Sequence, residues 1–152
     1  MSLCCDVLSR LKGKTLVTAE SCSGGGIGAA LTAISGSSEV YKGGIISYSN
    51  WVKHHFLNVP QEILDTVGAV SAPVAEAMAK GARENLQADV AVSVTGLAGP
   101  SGDEFGNPVG TVFVGYADAE KVVSRHFVFE GSREVVRLQA VAAALQLILT
   151  EF

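Results

Sequence analysis

Short apolar segments alternate with amphipathic ones along the chain, and this alternation predicts strands separated by helices. Residues 15–19 form an apolar segment of strand length, and after a run of glycines Ile27 and Leu31 begin a helical spacing. A second strand is predicted at 43–48. A third, at 90–95, is almost continuously apolar, as expected for a strand in a parallel sheet covered on both faces.

The last third of the sequence predicts a hairpin followed by a long helix. Strands predicted at 110–117 and 121–129 are joined by a connection short enough for antiparallel neighbours. Ser132 is expected to cap the final helix. Because strands alternate with helices before the hairpin, we predict an α/β fold. It is a layered single domain over residues 1–152, with a mostly parallel central sheet, helices on both faces and a C-terminal antiparallel hairpin.

Residues suited to helix starts divide the middle of the chain. Asn50 is expected to cap a short helix, Pro60 to open another turn of helix, and Ser71 to cap a longer one. Residues 3–11 place their apolar side chains on one face, as a short helix would, and they lack the pattern of a secretory signal.

Composition narrows the class of protein. Apolar residues make up 48% of the chain and charged residues only 17%, which excludes disorder. No apolar run approaches the ~20 residues that cross a bilayer, so no membrane partner is expected. The net charge of −4, without a basic cluster, argues against nucleic-acid binding. The low charged fraction indicates surface buried between subunits, so we expect a homo-oligomer.

The cysteines and histidines indicate neither disulfides nor a metal site. Three cysteines, an odd number without a CxxC pair, suit a reducing compartment, and we expect a cytoplasmic protein. Cys4 and Cys5 are interpreted as packing residues of the first helix. The three histidines show no metal-ligand spacing, so no metal is expected.

Residues 20–26, which read ESCSGGG, form the most informative segment. They lie between a predicted strand and a predicted helix. A helix N-terminus has unpaired N–H groups and partial positive charge, so it attracts phosphate or a developing oxyanion. Glycines would let a ligand approach the backbone closely. The alternative is a plain strand-to-helix turn capped by Ser23, and this segment alone leaves both interpretations open.

Polar residues follow three of the predicted strands, at 20–21, 48–50 and 95–96. Sites in α/β sheets gather at the carboxyl ends of strands, so we expect these positions to converge. The candidates for substrate contact are Ser23, Gly24, Gly25, Asn50, Thr95 and Gly96. Tyr48 could stack on an aromatic ring or donate a hydrogen bond, although packing at the strand end would equally explain it.

Few residues could perform covalent chemistry. Ser21 and Ser23 are candidate nucleophiles, and a serine needs a base, for which a neutral lysine is suitable. The position of Lys53 would let its side chain reach the first loop, and burial would be needed to lower its pKa enough for it to act as a base. Spacing alone favours an ordinary surface lysine. Cys22 paired with a histidine at 54–55 is the alternative, and we interpret Cys22 instead as a buried packing residue.

Two features could bind phosphate. Arg133 and Arg137 lie one helical turn apart and could clamp a phosphate, with surface salt bridges as the default interpretation. Residues 24–29 also match the pattern GxGxxA of dinucleotide-binding folds. Four polar residues precede that pattern where an immediate turn is required, and no acidic residue ends the second strand. The sequence therefore argues against a dinucleotide fold.

Several motifs in fixed order carry a resemblance to a known family. They are TAESCSGG at 18–25, GSS at 36–38, YSN at 48–50 with Lys53, GAVS at 68–71, TGLAGP at 95–100, PVG at 108–110, and Arg133 with RLQ at 137–139. Together they resemble the CinA C-terminal domain family, whose studied members are nicotinamide-nucleotide amidases, over nearly the whole chain. Ser23 stands where many members carry Thr, and Ser132 where an Asp is common.

The resemblance implies hydrolysis of nicotinamide mononucleotide to nicotinate mononucleotide and ammonia, in pyridine-nucleotide recycling. The family's Ser/Lys dyad maps onto Ser21 and Lys53, with Tyr48 as a further catalytic candidate. Neither a metal nor a cofactor is required. Backbone amides of the Gly24–Gly25 turn or of the Gly96 loop would then stabilise the oxyanion.

The same resemblance leaves three points open. Ser23 remains the second candidate nucleophile. The substrate phosphate is expected on Arg137, which belongs to the stronger motif, or on Arg133. The nucleotide-hydrolase domain of fused CinA proteins does not precede these residues, so a stand-alone amidase is expected. A non-catalytic nucleotide-binding module of competence or DNA-damage responses is the alternative function.

Overall fold

The structure, a computed structural model, describes residues 2–152 as five strands and six α-helices. A 3-10 turn at Ser37–Glu39 precedes the second strand. In chain order the elements are α1 (Leu3–Arg10), β1 (Leu16–Glu20), α2 (Gly26–Thr32), β2 (Tyr41–Ile46), α3 (Asn50–Leu57), α4 (Gln61–Thr66), α5 (Ala72–Asn85), β3 (Val90–Gly96), β4 (Thr111–Ala117), β5 (Val122–Val128) and α6 (Arg133–Glu151).

The strands form one sheet in the order β2-β1-β3-β4-β5. β1 pairs in parallel with both β2 and β3, whereas β4 is antiparallel to β3 and to β5. Four of the five strands therefore run in the same direction, and β4 alone is reversed. This confirms the predicted α/β domain with a parallel core and a C-terminal antiparallel hairpin.

Helices cover both faces of the sheet and bury two separate apolar clusters. One cluster joins the sheet to α1, α2 and α6, and it includes Val7, Ile27 and Ile148. The other lies under α3, α4 and α5, and Leu57 and Met78 belong to it. The near-continuous apolar character of β3 follows from this arrangement, since each face of the strand meets a helical layer.

Side-chain alternation along β1 directs consecutive residues to opposite layers. Leu16 packs in the cluster of α2 and α6, whereas Val17 and Ala19 pack in the cluster of α3 and α5. Because successive side chains of a strand point to opposite faces, Glu20 falls on the α2 side and Ser21 on the α3 side. The end of this strand thus sends a carboxylate and a hydroxyl into two different environments.

Three helix starts agree with those predicted from the sequence, and two differ. Ser71 and Ser132 cap α5 and α6 by accepting N–H groups three residues on, and Pro60 precedes α4. The cap of α3 is Ser49, which accepts the Val52 N–H at 3.2 Å. The expectation that Asn50 caps this helix was therefore wrong, because the chain becomes helical one residue earlier. The second strand also ends earlier than expected, at residue 46.

The start of α2 is the second difference. Its N-terminal flank is Gly25, in the left-handed region at φ 100°, and no side chain of that residue caps the helix. Ser23 is consequently not an N-cap.

α3 lies against α5 at very short distance. A Cβ atom at Gly81 of α5 would overlap the carbonyl group of Leu57 at the end of α3, so only glycine allows this approach. The contact fixes α3 beside the sheet. Across residues 2–152, no helix combines the length and apolarity that a membrane crossing requires.

Candidate active site

A cavity of about 360 Å³ opens at the edge of the sheet where β1, β2 and β3 end. The three polar strand ends noted in the sequence all contribute to its wall. Its lining residues are Ser21, Cys22, Tyr48, Asn50, Lys53, Ala69, Val70, residues 95–101 and Arg133. Lys53 and Arg133 are the charged groups of this wall, so the cavity suits an anionic ligand.

Lys53 and Ser21 are in direct contact inside the cavity. Lys53 lies in the first turn of α3, and its side chain is only 1% exposed. Its Nζ atom lies 3.0 Å from Ser21 Oγ, although 32 residues separate the two along the chain. The Ser49 cap fixes where α3 begins and hence the direction in which Lys53 projects.

Burial changes the protonation of Lys53. Removing an ammonium from water disfavours its charged form, so burial lowers the pKa of Lys53 to about 8, and the neighbouring Cys22 side chain opposes this only in part. The Ser47 carbonyl oxygen accepts an N–H of the amine at 2.7 Å. When the Lys53 amine is neutral, its nitrogen carries a lone pair as well as two N–H groups. That lone pair can accept the Ser21 hydroxyl proton.

Sequence reasoning missed Ser47, whose backbone orients Lys53. Ser47 is fully buried, and both its N–H and its hydroxyl donate to the carbonyl oxygen of Glu20, at 2.7 and 3.3 Å. These bonds hold the chain to the end of β1 one residue beyond β2. A polar residue directly after an apolar strand was the available signal.

Glu20 occupies the helix start that was expected to attract a ligand. Its side chain is 2% exposed, and its carboxylate accepts the N–H groups of Ile27 at 2.8 Å and Gly28 at 3.0 Å. It also accepts hydrogen bonds from Ser23 Oγ at 2.8 Å and Thr18 Oγ1 at 3.2 Å. The positive end of α2 is thus neutralised by the protein's own carboxylate.

Ser23, Gly24 and Gly25 lie outside the cavity wall, which differs from their expected contact with substrate. The Ser23 hydroxyl donates to Glu20 on the α2 side of the sheet, whereas Ser21 and Lys53 meet on the other side. The Gly24 N–H donates to the Ser21 carbonyl oxygen at 3.0 Å, so it is not available to an oxyanion.

The two candidate phosphate ligands have different surroundings. Arg133 lines the cavity, donates to the Gly99 carbonyl oxygen and reaches Tyr48 Oη at 3.3 Å. Arg137 lies outside the wall and donates to the carbonyl oxygens of Cys22 and Ser23, at 3.0 and 3.1 Å. Of the two arginines, only Arg133 lines the cavity, whereas the sequence ranked Arg137 first.

The remaining candidates stand around the mouth and floor of the cavity. Tyr48 is 64% exposed at the mouth, and Asn50 is the first residue of α3. Thr95 is buried, and its hydroxyl donates to the Ala69 carbonyl oxygen at 2.9 Å. Gly96 ends β3 in the wall. All four are brought together with the Ser21–Lys53 pair.

Cys22 lies in the wall without a histidine partner. The Nδ1 atoms of His54 and His55 are held by backbone carbonyl oxygens, and neither residue lines the cavity. Burial raises the pKa of the Cys22 thiol to about 11, which keeps it protonated near neutral pH. Within residues 2–152 there is also no group of three or more His, Cys, Asp or Glu side chains placed to hold a metal.

Comparison with known proteins assigns the family. The sequence profile of the CinA C-terminal domain matches residues 3–152, nearly all of the chain. The chain belongs to the CinA C-terminal domain family. Solved structures of this family have the same fold: a CinA superfamily protein from Escherichia coli aligns with a TM-score of 0.96 and 36% identity, over 99% of this chain and 88% of that one.

Relatives of two sizes share this domain. A CinA-like protein of Synechococcus sp. (strain RCC307) is 47% identical over 97% of this chain, which spans only 36% of that relative. The chain thus spans about a third of the length of such CinA-like relatives. Two proteins named nicotinamide-nucleotide amidohydrolase PncC are of similar length to it. That of Pseudomonas putida is 47% identical, covering 86% of this chain and 81% of its own, and that of Enterobacter agglomerans is 46% identical, covering 94% and 88%.

Proposed function

We propose that this CinA C-terminal domain hydrolyses the carboxamide of nicotinamide mononucleotide to nicotinate mononucleotide and ammonia. The PncC relatives support the reaction class, since they are 46–47% identical over most of both chains. The observation that carries the proposal is the buried contact of 3.0 Å between Lys53 Nζ and Ser21 Oγ. It pairs a nucleophile with an amine whose pKa burial has lowered to about 8.

In the acylation step, Ser21 Oγ attacks the carboxamide carbon while neutral Lys53 takes the hydroxyl proton. The tetrahedral intermediate then loses its nitrogen, and protonated Lys53 donates a proton to the departing amine, which leaves as ammonia. The Ser47 carbonyl oxygen orients the amine through both transfers. Water, deprotonated by Lys53, then attacks the Ser21 ester; the C–O bond to Ser21 breaks, Ser21 Oγ takes that proton back from Lys53, and the acid product leaves as its carboxylate.

The backbone beside Ser21 supports stabilisation of the oxyanion. Across residues 2–152, neither Cys22 nor Ser23 donates its N–H group to another residue, and Cys22 lines the cavity next to the nucleophile. We therefore assign the oxyanion to the Cys22 N–H, with the loop after Gly96 as a second source of donors. This replaces the Gly24–Gly25 turn considered from sequence.

The rest of the cavity fits a mononucleotide. Arg133 would bind the phosphate as a charged, planar donor, and Tyr48 would cover the pyridine ring at the mouth. No acidic side chain lies in the wall to repel the phosphate. The chemistry needs no metal, so dialysis against a chelator is expected to leave turnover unchanged.

Release of ammonia from nicotinamide mononucleotide by the purified protein tests the proposal. Ser21→Ala and Lys53→Ala should each lower kcat about a thousandfold or more. The double variant should have a kcat little lower than that of either single variant, because the two residues act as a unit. Lys42→Ala is a matched control, since Lys42 Nζ also donates to a carbonyl oxygen but lies on the surface. Stoichiometric binding without ammonia release would favour a non-catalytic nucleotide-binding module instead.

A further inference from the structure

Glu20 accepts more hydrogen bonds than any simple helix cap requires. Its two carboxylate oxygens receive two backbone N–H groups of α2 and the hydroxyls of Thr18 and Ser23. Each of these partners is at 3.2 Å or less, and the group is nearly inaccessible to water. A buried carboxylate is stable only when its oxygens are satisfied in this way.

These bonds close the turn that carries the nucleophile. The chain leaves β1 at Glu20, passes Ser21 and returns so that Ser23 meets the carboxylate of Glu20. Two backbone bonds tighten the same turn: Gly24 N–H to the Ser21 carbonyl oxygen and Gly26 N–H to the Ser23 carbonyl oxygen, both at 3.0 Å. The position of the Ser21 hydroxyl therefore depends on the contacts of this turn, in which the Glu20 carboxylate accepts hydrogen bonds from Ser23 and from the start of α2.

We propose that Glu20 and Ser23 are positioning residues for Ser21: the Glu20 carboxylate, bound to Ser23 Oγ and to the first N–H groups of α2, holds the turn in which the Ser21 hydroxyl meets Lys53. Neither residue lines the cavity, so neither contacts substrate. Because Glu20 and Ser21 point to opposite faces of the sheet, the carboxylate can fix the turn without competing for Lys53. The kinetic part of this inference rests on the proposed amidase function.

The central experiment replaces Ser23 with Ala and with Thr. Ser23→Ala removes the hydroxyl bonded to Glu20 and should lower kcat for ammonia release by about ten- to a hundredfold, since small displacements of a reacting group are that costly. KM should change by less than about twofold, because substrate contacts are intact. Ser23→Thr retains a hydroxyl and should recover most of kcat.

Ser93→Ala is the matched control. Ser93 is also a fully buried serine, on the neighbouring strand, and its hydroxyl donates to the Ala75 carbonyl oxygen. It should lower the thermal midpoint about as much as Ser23→Ala does and leave kcat unchanged. If Ser23→Ala leaves kcat unchanged, or raises KM at constant kcat, the positioning role is wrong.

A crystal structure of Ser23→Ala supplies a readout that does not depend on activity. Ser21 Oγ should move away from Lys53 or occupy more than one rotamer, while Lys53 keeps its bond to the Ser47 carbonyl oxygen. An unchanged separation of Ser21 Oγ and Lys53 Nζ would overturn the inference. If the wild-type protein releases no ammonia, the proposed function fails, and this structural comparison still decides whether Ser23 positions Ser21.

Discussion

Arg137 donates from Nε to the carbonyl oxygen of Cys22 at 3.0 Å, although 115 residues separate the two along the chain. A second nitrogen of the same guanidinium donates to the Ser23 carbonyl oxygen. Through Arg137, α6 thus binds the turn that follows the nucleophile, in the bidentate geometry that arginine favours. Arg133, one helical turn earlier, is left to face the cavity.

The two arginines are therefore expected to differ in kinetics. Arg133→Ala should raise KM for nicotinamide mononucleotide about ten- to a hundredfold, the equivalent of losing ~1.5–3 kcal/mol from a charged hydrogen bond. It should scarcely affect hydrolysis of nicotinamide riboside, which has no phosphate. Arg137→Ala should instead lower kcat for both substrates alike, because it loosens the turn around Ser21.

Steady-state kinetics of both variants on both substrates check this division. If Arg137→Ala selectively raises KM for the mononucleotide, the phosphate lies on Arg137 as the sequence first indicated. If Arg133→Ala affects both substrates equally, Arg133 acts through the Gly99 loop to which it donates.

The fold could be predicted because its signals are local. Apolar runs of strand length, helical spacing and serine caps each depend on a few neighbouring residues, and Ser71 and Ser132 cap helices as expected. The N-cap of α3 was wrongly predicted at Asn50 because Ser49 and Asn50 are both good N-cap residues. Which of them caps the helix depends on where β2 ends.

The site could be predicted only where strand ends determine it. Convergence at one sheet edge follows from parallel strands, so the polar strand ends were found together. Whether Ser23 or Ser21 faces Lys53 depends on the exact pleat at the end of β1, which composition does not reveal. The sequence did not show that Glu20 accepts the first N–H groups of α2. A carboxylate before a glycine-rich turn is equally typical of a ligand-binding residue, and only its partners in the fold distinguish the two.

Activity is expected to rise with pH around the pKa of Lys53. The amine must be neutral to accept a proton, and its pKa lies at about 8, so kcat/KM should increase from pH 6.5 and level off above pH ~9. The second pKa of a phosphate lies near ~6, below this range, so the substrate does not cause the rise. A pH profile of ammonia release measures it.

Two comparisons test this assignment. Nicotinamide riboside should give the same midpoint, since it lacks the phosphate. Lys53→Arg should be inactive across the range, because a guanidinium stays protonated. A profile that is flat between pH 6.5 and 9.5 in the wild-type protein would contradict lysine as the base.

Cys22 is expected to be dispensable and unreactive. Its pKa of about 11 leaves about 0.1% thiolate at pH 8, so alkylation by iodoacetamide should be slow in the folded protein. Cys22→Ala should keep most of kcat, with a loss of ~1 kcal/mol in stability from the lost packing. Mass spectrometry of alkylation and kinetics of the variant check both points. Rapid alkylation of Cys22 in parallel with loss of activity would make Cys22 a catalytic group. A Cys22→Ala variant that is folded but inactive would lead to the same conclusion.

Lys53 should make the stability of the protein depend on pH. Burial lowers its pKa in the folded state to about 8 from 10.5, so between these values the unfolded chain binds more protons than the folded one. The free energy of unfolding therefore rises with pH across this window, and the penalty for burying the ammonium is fully present below pH 8.

Urea denaturation of the wild-type protein and of Lys53→Met at pH 7 and pH 10 measures this effect. The wild-type protein should gain on the order of 2 kcal/mol relative to the variant between the two conditions, because methionine carries no proton to lose. Lys12→Met, which removes an exposed lysine from the surface, should follow the wild-type dependence. If Lys53→Met and the wild-type protein change in parallel, the Lys53 amine is not desolvated in the folded state, and it would then be too basic to deprotonate Ser21 near neutral pH.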